Sequence, residues 1–407
     1  MKILVIGNGF DLAHNLPTSY KDFLDFCKAT RRVENKITEE RLTELSGYIK
    51  DNTWLEYFEI RVLSIGENWI DFESEIARVI RVLDDVRRVL ENGGNILELQ
   101  EEKSLIIKDV LRASKKNVYT TFNSVEMMDL FSHFLYGELE KLIRALEIYI
   151  AKYVNQAVLE KQSPDIVDLN PEHVLSFNYS ATYERLYGER KEIEYDYIHG
   201  KADIYNSIET NNMVLGIDEY LSDEEKNLRT QLIVFKKYYQ RLYKQSMRLS
   251  EIWCAEIRKE AEYQKNSRRF MLEKQIEFDL ISNESEYNRQ GFERLARTYD
   301  AQYDEMNPKH EVYIFGHSLD VTDKDILCNL ILNDNVHTTI FYCKKQDKNG
   351  KLDNGRKDYG QKLKNLVGVI GQEELIKRTG NGTIEFRLQQ DMVPITRNEG
   401  RGKMYYD

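Results

Sequence analysis

The chain has 407 residues, 41% of them hydrophobic, which is enough for one large or two ordinary domains with a substantial core. Its 58 basic and 69 acidic side chains give a net charge of −11, which argues against a broadly basic nucleic-acid surface, although a local basic patch stays compatible with it. Four cysteines without a C-x-x-C pair indicate neither a zinc ribbon nor a disulfide framework, and the absence of a signal peptide or membrane-length apolar segment predicts a cytoplasmic protein.

The chain opens with an apolar run at residues 3–6, followed by a glycine-containing turn and an amphipathic stretch for which Ser19 is the expected N-cap. This order predicts a buried strand, a turn and a helix. Two glycines would let a phosphate approach the backbone, and the helix would direct N–H groups at it. The third glycine of a dinucleotide fingerprint is replaced by Leu12, so a plain tight turn is the alternative. The turn residues are Gly7, Asn8, Gly9, Phe10 and Asp11.

No proline occurs between Pro17 and Pro164, and the apolar residues of this region recur at helical spacing. Asp71, Glu73 and Glu75 form an acidic group that could serve a metal or acid–base chemistry. Because the segment is predicted to be helical, we expect these acids to lie in a solvated first turn. Glu73 and Glu75 are kept only as weak site candidates.

After Pro164 the pattern changes to short apolar runs that end in polar residues or glycine. Strands that end in this way favour a parallel α/β sheet, in which ligands bind outside the carboxyl ends of the strands. The predicted strands are 173–177, 195–198, 213–217, 311–315, 337–343 and 383–388.

Residues 222–303 contain one glycine and no proline, which predicts a second helical region. Leu228, Leu232, Phe235, Tyr239 and Leu242 follow a heptad spacing, which indicates a helical hairpin packed on the sheet or an arm for homo-oligomerisation. On the same helix, three polar residues could reach anionic phosphates, but a solvated helix face is the more common position for them. They are Lys237, Gln240 and Arg241.

These elements predict an α/β protein with a Rossmann-like, mostly parallel sheet and large helical insertions. The expected core comprises residues 1–30, 164–221 and 308–390, with a helical insertion at 31–163 and a helical hairpin at 222–307. The strand ends would share one rim, where a glycine turn, an amide and an imidazole suit a nucleotide site. Their residues are Gly7, Gly9, Asn178, His199, Gly200, Gly316, His317 and Ser318.

Several segments, read in order, resemble the AbiH family of bacteriophage abortive-infection proteins. They are ILVIGNGFDLAHNLPTSYKDF, SFNYSATYE, YIHGKA, LGIDE, FKKYYQR and FGHSLDVTDKDIL, and they extend to about residue 345. The resemblance implies a role in phage defence, with a phage trigger or a partner protein as a further expectation.

A more distant similarity is to the sirtuin-like domains of antiphage systems, which bind NAD on a Rossmann-like fold. In that comparison the glycine turn, an Asn at one strand end, a His at the next and a later G-x-S-x-x-D segment form the site. Asp11 replaces the usual serine, Ser180 stands in place of an acid, and Tyr197 stands in place of a first histidine. The matching residues are Gly7, Asn8, Gly9, Asp11, Asn178, Tyr179, His199, Gly200, Gly316, Ser318 and Asp323.

The similarity implies cleavage of the bond between nicotinamide and ribose in NAD. Asn178 would orient a water or a ribose hydroxyl, His199 would take its proton, and Asp11 would stabilise the cationic sugar or bind a ribose hydroxyl or a metal. The expected ligand contacts also include Phe10, Ser19, Gly316, His317, Ser318 and Asp323. No metal, membrane or long nucleic acid is expected.

Two alternatives remain open from the sequence. The first is a nucleotide-sensing module that uses the same pocket without turnover and signals through its helical region. The second is a metal-dependent phosphodiesterase or nuclease that uses Asp11, His14 and other carboxylates.

Overall fold

The computed structural model describes residues 1–65, 71–94, 99–188, 192–217, 230–246, 249–281, 309–345 and 350–395. Within these residues, six strands pair in parallel and form the central sheet. The strands are β1 (Lys2–Ile6), β2 (His173–Ser176), β3 (Glu194–Tyr197), β4 (His310–Phe315), β5 (Val336–Tyr342) and β6 (Ile384–Leu388).

The order of the strands across the sheet is β3-β2-β1-β4-β5-β6. This is the order found in dinucleotide-binding sheets, where the chain reverses its direction of progress between the first and fourth strands. Ile6 at the end of β1 pairs with Ser176 on one side and with Phe315 on the other. The loops that follow β1, β2 and β4 therefore leave the sheet side by side at its carboxyl edge. The predicted parallel α/β fold with helical insertions is confirmed.

Both faces of the sheet are covered, and the central strand β1 is apolar from Ile3 to Ile6. Successive β1 residues alternate between two cores: Ile3 and Val5 pack on one face, and Leu4 and Ile6 on the other. A third apolar core lies within the helices that precede Pro164 and includes the fully buried Trp54.

Helices make up most of the remaining described structure, and among the described residues no helix is long and apolar enough to cross a bilayer. A π turn, Ile150–Val154, continues the helix that ends at Tyr149, and residues 161–162 and 393–394 pair as a short antiparallel ribbon. The helices are α1 (Asn8–Ala13), α2 (Tyr20–Arg32), α3 (Glu40–Ile49), α4 (Thr53–Ile65), α5 (Phe72–Glu91), α6 (Glu101–Ala113), α7 (Val118–Thr121), α8 (Val125–Tyr149), α9 (Pro164–Val167), α10 (Thr182–Tyr187), α11 (Lys237–Lys244), α12 (Leu249–Ile281), α13 (Lys324–Ile331), α14 (Arg356–Ile370) and α15 (Gln372–Gly380).

The predicted strand at 213–217 is wrong. The segment is buried, but its backbone forms hydrogen bonds with the Gln240 side chain and with the residues just before α11, and not with a strand. The Gln240 amide accepts a hydrogen bond from the Leu215 N–H and donates one to the Leu215 carbonyl, both at 3.1 Å. The N–H of Ile217 donates to the carbonyl of Phe235 at 2.7 Å. These partners satisfy the backbone in the way a neighbouring strand would.

The prediction that the heptad residues lie on one continuous helix is also wrong. Residues 230–235 form a 3₁₀ turn and α11 begins only at Lys237. Leu232 and Phe235 are buried in the core of the first helical region, whereas Leu242 is 70% exposed. The seam residue Leu228, the two ends of the proposed hairpin (222–229 and 282–307) and the tail from Asn398 lie outside the described residues.

Candidate functional site

A cleft of about 1370 Å³ opens at the carboxyl edge of the sheet, beside the point where β1 and β4 diverge. The structure brings Gly9, Asn178, His199 and Ser318 into its lining, although they are far apart in the sequence. This is the place where open α/β sheets bind their ligands. The helices before Pro164 and the start of α11 form the opposite wall. The expected residues that line the cleft are Gly7, Asn8, Gly9, Asp11, Ser19, Asn178, His199, Gly316, His317, Ser318 and Asp323.

The glycine turn packs backbone against backbone with the loop after β4. A Cβ on Gly9 would lie 2.7 Å from the Gly316 carbonyl oxygen, and one on Gly7 would lie 2.7 Å from the His317 Cα. Gly316 has a φ of 70°, which favours glycine. The Gly9 N–H already donates to the Gly316 carbonyl at 2.8 Å, and the Phe10 N–H donates to Gly7. The glycines thus let the two loops cross, and part of the first turn of α1 is already paired.

Asn178 and Asp11 lie beneath this turn. The Asn178 amide donates to the Gly7 carbonyl at 3.0 Å, and the Ser180 hydroxyl donates to Asp11 Oδ2 at 2.6 Å. Burial raises the pKa of Asp11 to about 6, against the hydrogen bonds from Ser180, Thr182 and Asn178. Ser180, which replaces an acid of the sirtuin-like pattern, thus serves as a partner for the acid at Asp11.

Two histidines face one carboxylate at the floor of the cleft. The Nε2 atoms of His199 and His317 lie 3.5 and 3.4 Å from the two oxygens of Asp323. His317 Nδ1 accepts the Leu319 N–H at 2.9 Å, so its Nε2 carries the proton that points to Asp323. The His317 ring packs against Phe177, with ring centroids 4.3 Å apart.

Lys237 and Glu73 complete this cluster, and neither occupies the position the sequence predicted. Lys237 is 2% exposed, and its Nζ lies 2.8 Å from Glu73 Oε2 and 3.5 Å from Asp323 Oδ1. The expectation of a solvated helix face for Lys237, Gln240 and Arg241 is wrong, since all three are buried. The solvated first turn is also wrong for Glu75, which binds Arg61 at 3.0 Å in the helical core.

The charges of this cluster shift one another's pKa. Burial and the Lys237 ammonium lower the pKa of His199 to about 4, against the attraction of Asp323, so its imidazole is neutral at pH 7. Burial would raise the pKa of Asp323, but Lys237 and the two imidazoles hold it well below its usual range. Burial and nearby acids raise the pKa of Glu73 to about 7, although Lys237 opposes them.

One face of α5 forms a wall of the cleft. Its lining positions recur at helical spacing from Glu73, through Ala77, to Arg78 and Arg81. Eight residues separate Glu73 from Arg81, about 12 Å along the helix axis. The wall therefore carries an acid at the floor and guanidinium groups further out. Tyr20, stacked on Phe72 with ring centroids 4.3 Å apart, adds an aromatic surface beside Glu73.

Four buried polar atoms of the cleft-lining residues have no hydrogen-bond partner among the described residues. Buried polar groups are nearly always paired, so such a group indicates a water or ligand site. Two of the atoms face each other across 3.5 Å, which is too long for a good hydrogen bond. They are Asp11 Oδ1, Asn178 Oδ1, His199 Nε2 and Asp323 Oδ1.

Three of the expected site residues have structural roles. Phe10 is fully buried between Phe315 and Tyr183 and does not line the cleft, because the helical turn directs its ring into the core. Gly200 has a φ of 82° and packs on Asn212, so the backbone turn explains it. The hydroxyl of Ser19 caps α2 in a capping box with Asp22, as its N-cap assignment predicted.

The remaining candidates concern the metal alternative. His14 bonds the Phe10 carbonyl and the Tyr187 hydroxyl at 2.7 and 2.9 Å, which is a structural position. Within the described part of the chain, no group of three or more His, Cys, Asp and Glu side chains is arranged to hold a metal ion.

The strand order and the cleft at the carboxyl edge define a Rossmann-like α/β protein in which helical insertions complete the cleft. The family model for bacteriophage abortive infection AbiH matches residues 3–343, so the chain belongs to the AbiH family. Membership supports a role in bacteriophage abortive infection. No match was found among curated proteins or among solved structures.

Proposed function

We propose that this AbiH-family protein binds NAD or a related nucleotide in the cleft and hydrolyses the bond between nicotinamide and ribose during abortive infection. The observation that carries the proposal is the set of four unpartnered, buried polar atoms on the cleft-lining residues. These atoms are three oxygen acceptors and one imidazole nitrogen, which suit a ligand with several hydroxyl groups. They line the cleft at the carboxyl edge of the sheet, beside the point between β1 and β4 where dinucleotide-binding sheets bind their ligand. The likeness of the motifs to sirtuin-like defence domains supports the same ligand.

The residues have distinct roles in this reaction. Departure of neutral nicotinamide leaves a cationic sugar, to which Asp11 presents a carboxylate whose pKa is about 6 and which is therefore mostly ionised at pH 7. A water adds to the sugar carbon and loses a proton to His199, which is neutral over this pH range. Asn178 is tied to the glycine turn by its amide and offers its carbonyl oxygen to orient the water.

The charge along α5 orients the ligand. With the nicotinamide ribose at the floor, near His199, the phosphates would extend toward Arg78 and Arg81, whose guanidinium groups suit phosphate oxygens. Arg78 is 43% exposed, and its Nη1 lies 3.8 Å from Glu75. Tyr20 offers a ring face to a base.

The test incubates pure protein with NAD, ATP and DNA, each with and without magnesium or manganese, and follows the products. We expect release of nicotinamide from NAD, abolished by His199→Ala and by Asn178→Ala. His133→Ala is the matched control, because His133 is exposed on α8 and does not line the cleft. Thermal midpoints of all variants establish that each is folded.

Other outcomes refute this proposal and identify its rivals. Tight nucleotide binding that yields no product identifies a sensing module. Metal-dependent cleavage of DNA that is lost in Asp11→Ala identifies a nuclease. Nicotinamide release that persists in His199→Ala removes the assigned base.

A further inference from the structure

We propose that Lys237 is a positioning residue of the cleft, the buried cation around which the Asp323 carboxylate and the His199 imidazole are arranged. Lys237 lies between Glu73 of α5 and Asp323 of the loop after β4, so three remote segments meet at its ammonium group. It lines the cleft itself. The inference rests on the proposed function only where it treats His199 as the proton acceptor.

The backbone around Lys237 is held firmly, as a positioning residue requires. Its N–H donates to the Ile217 carbonyl at 2.8 Å, and the Ile217 N–H donates to the Phe235 carbonyl. A Cβ on Gly216 would lie 2.5 Å from the Phe235 carbonyl oxygen, so the two segments are in direct backbone contact. Lys237 therefore begins α11 at a point where the chain has little freedom to move.

The charged and titratable groups around Lys237 come from different elements. Glu73 faces it from α5, Tyr179 from the loop after β2, and Asp323 from the segment before α13. These groups raise the pKa of Lys237 above its usual range, against burial, so it is a cation at every accessible pH. Arg241 of α11 is a second cation that acts on His199. The ammonium thus balances two acids and at the same time disfavours protonation of the imidazole.

The consequence for chemistry is direct. With Lys237 in place, Asp323 is ionised and can accept from His317 Nε2, while His199 stays neutral and able to take a proton. Without it, the negative charge of Asp323 would favour protonation of His199, so the pKa of the imidazole would rise.

The test is a proton NMR titration of the histidine rings, which needs no nucleotide. The chain has seven histidines, and His199→Gln assigns the relevant signal. In the wild type we expect the His199 signal to titrate near pH 4, and in Lys237→Met at least about one pH unit higher. Lys237→Arg should keep it within about half a unit. Lys152→Met, which removes a lysine paired with Glu39 outside the cleft, should leave it unchanged.

An unshifted His199 signal in folded Lys237→Met overturns the inference. If Lys237→Met does not fold, the comparison is made between Asp323→Asn and the double variant Asp323→Asn, Lys237→Met, in which position 323 carries no charge that needs the ammonium group. There the same upward shift is expected, and equal titration in the two overturns the inference. A shifted signal in a protein that releases no nicotinamide refutes the proposed function and leaves this inference standing.

Discussion

Replacing Asp11 with Asn should stabilise the protein at neutral pH while weakening its function. Asp11 is 2% exposed, and burial raises its pKa from 3.8 to about 6. Below pH 3.8 the acid is neutral in both folded and unfolded chains, so it has no effect. Between that pH and about 6 only the unfolded chain ionises, so stability falls as pH rises, by about 3 kcal/mol in total. Asn cannot ionise and escapes this loss.

The magnitude has an upper bound set by hydrogen bonding. Asn can still accept the Ser180 hydroxyl, but its NH₂ would occupy the position of Oδ1, which has no partner. A buried, unpaired donor costs about 1–3 kcal/mol. At pH 4 the variant should therefore be as stable as the wild type or less stable. Between pH 4 and pH 7.5 its free energy of unfolding should rise relative to that of the wild type by about 3 kcal/mol.

The assay is thermal unfolding of the wild type and Asp11→Asn between pH 4 and 8. For a chain of this length, about 3 kcal/mol corresponds to a shift of roughly 3–4 °C in the difference between their midpoints. Asp25→Asn is the control, because Asp25 is an exposed acid paired with Lys21, and its difference should change little with pH. A difference between Asp11→Asn and wild type that stays constant from pH 4 to 8 would refute the reasoning.

Three further substitutions and one control test contacts at the cleft and in the helical core by thermal and urea unfolding. Gly9→Ala should destabilise the protein by about 1–3 kcal/mol, because its Cβ would meet backbone at 2.7 Å, whereas Gly47→Ala, at an exposed position of α3, should stabilise it by about 1 kcal/mol; equal effects would contradict this. Arg144→Met should cost about 3–5 kcal/mol by leaving fully buried Glu147 unpaired, and a neutral result would show the pair to be solvated. Ser19→Ala should cost about 1 kcal/mol through loss of the capping box, and no change would show that water replaces the cap.

The sequence predicted those parts of the fold whose pattern is local. The apolar run of β1 and the polar residues after β2 and β3 carry their own signal, because a buried parallel strand is rich in apolar residues and the residues that can contact a ligand follow its end. The placement of Asn178 and His199 in one cleft followed from that rule. The segment 213–217 carries the same apolar signal, but its backbone partner is the Gln240 side chain, which no local pattern identifies.

The acid and the cation at the cleft floor could not be predicted in the same way. Glu73 and Lys237 lie on helices whose polar residues usually face solvent, and their contact joins positions far apart in the chain. The spacing of Glu73, Ala77 and Arg81 was an available signal, since it places one face of α5 in a single line. The spacing indicates which residues share a face of α5, but not what that face packs against. Only the folded structure shows that this face covers the cleft.

The helical segments are part of the cleft because its buried acids and its buried ammonium group lie on different segments of the chain. Asp323 lies in the segment between β4 and α13, yet the ammonium group beside it comes from Lys237 of α11, and that group also pairs with Glu73 of α5. A buried ion pair is a poor source of stability compared with apolar packing, and loss of one member leaves the other uncompensated. Core positions that need only stability are better occupied by Leu or Phe. A lysine, two carboxylates and a histidine gathered in one cleft therefore support the proposed ligand site.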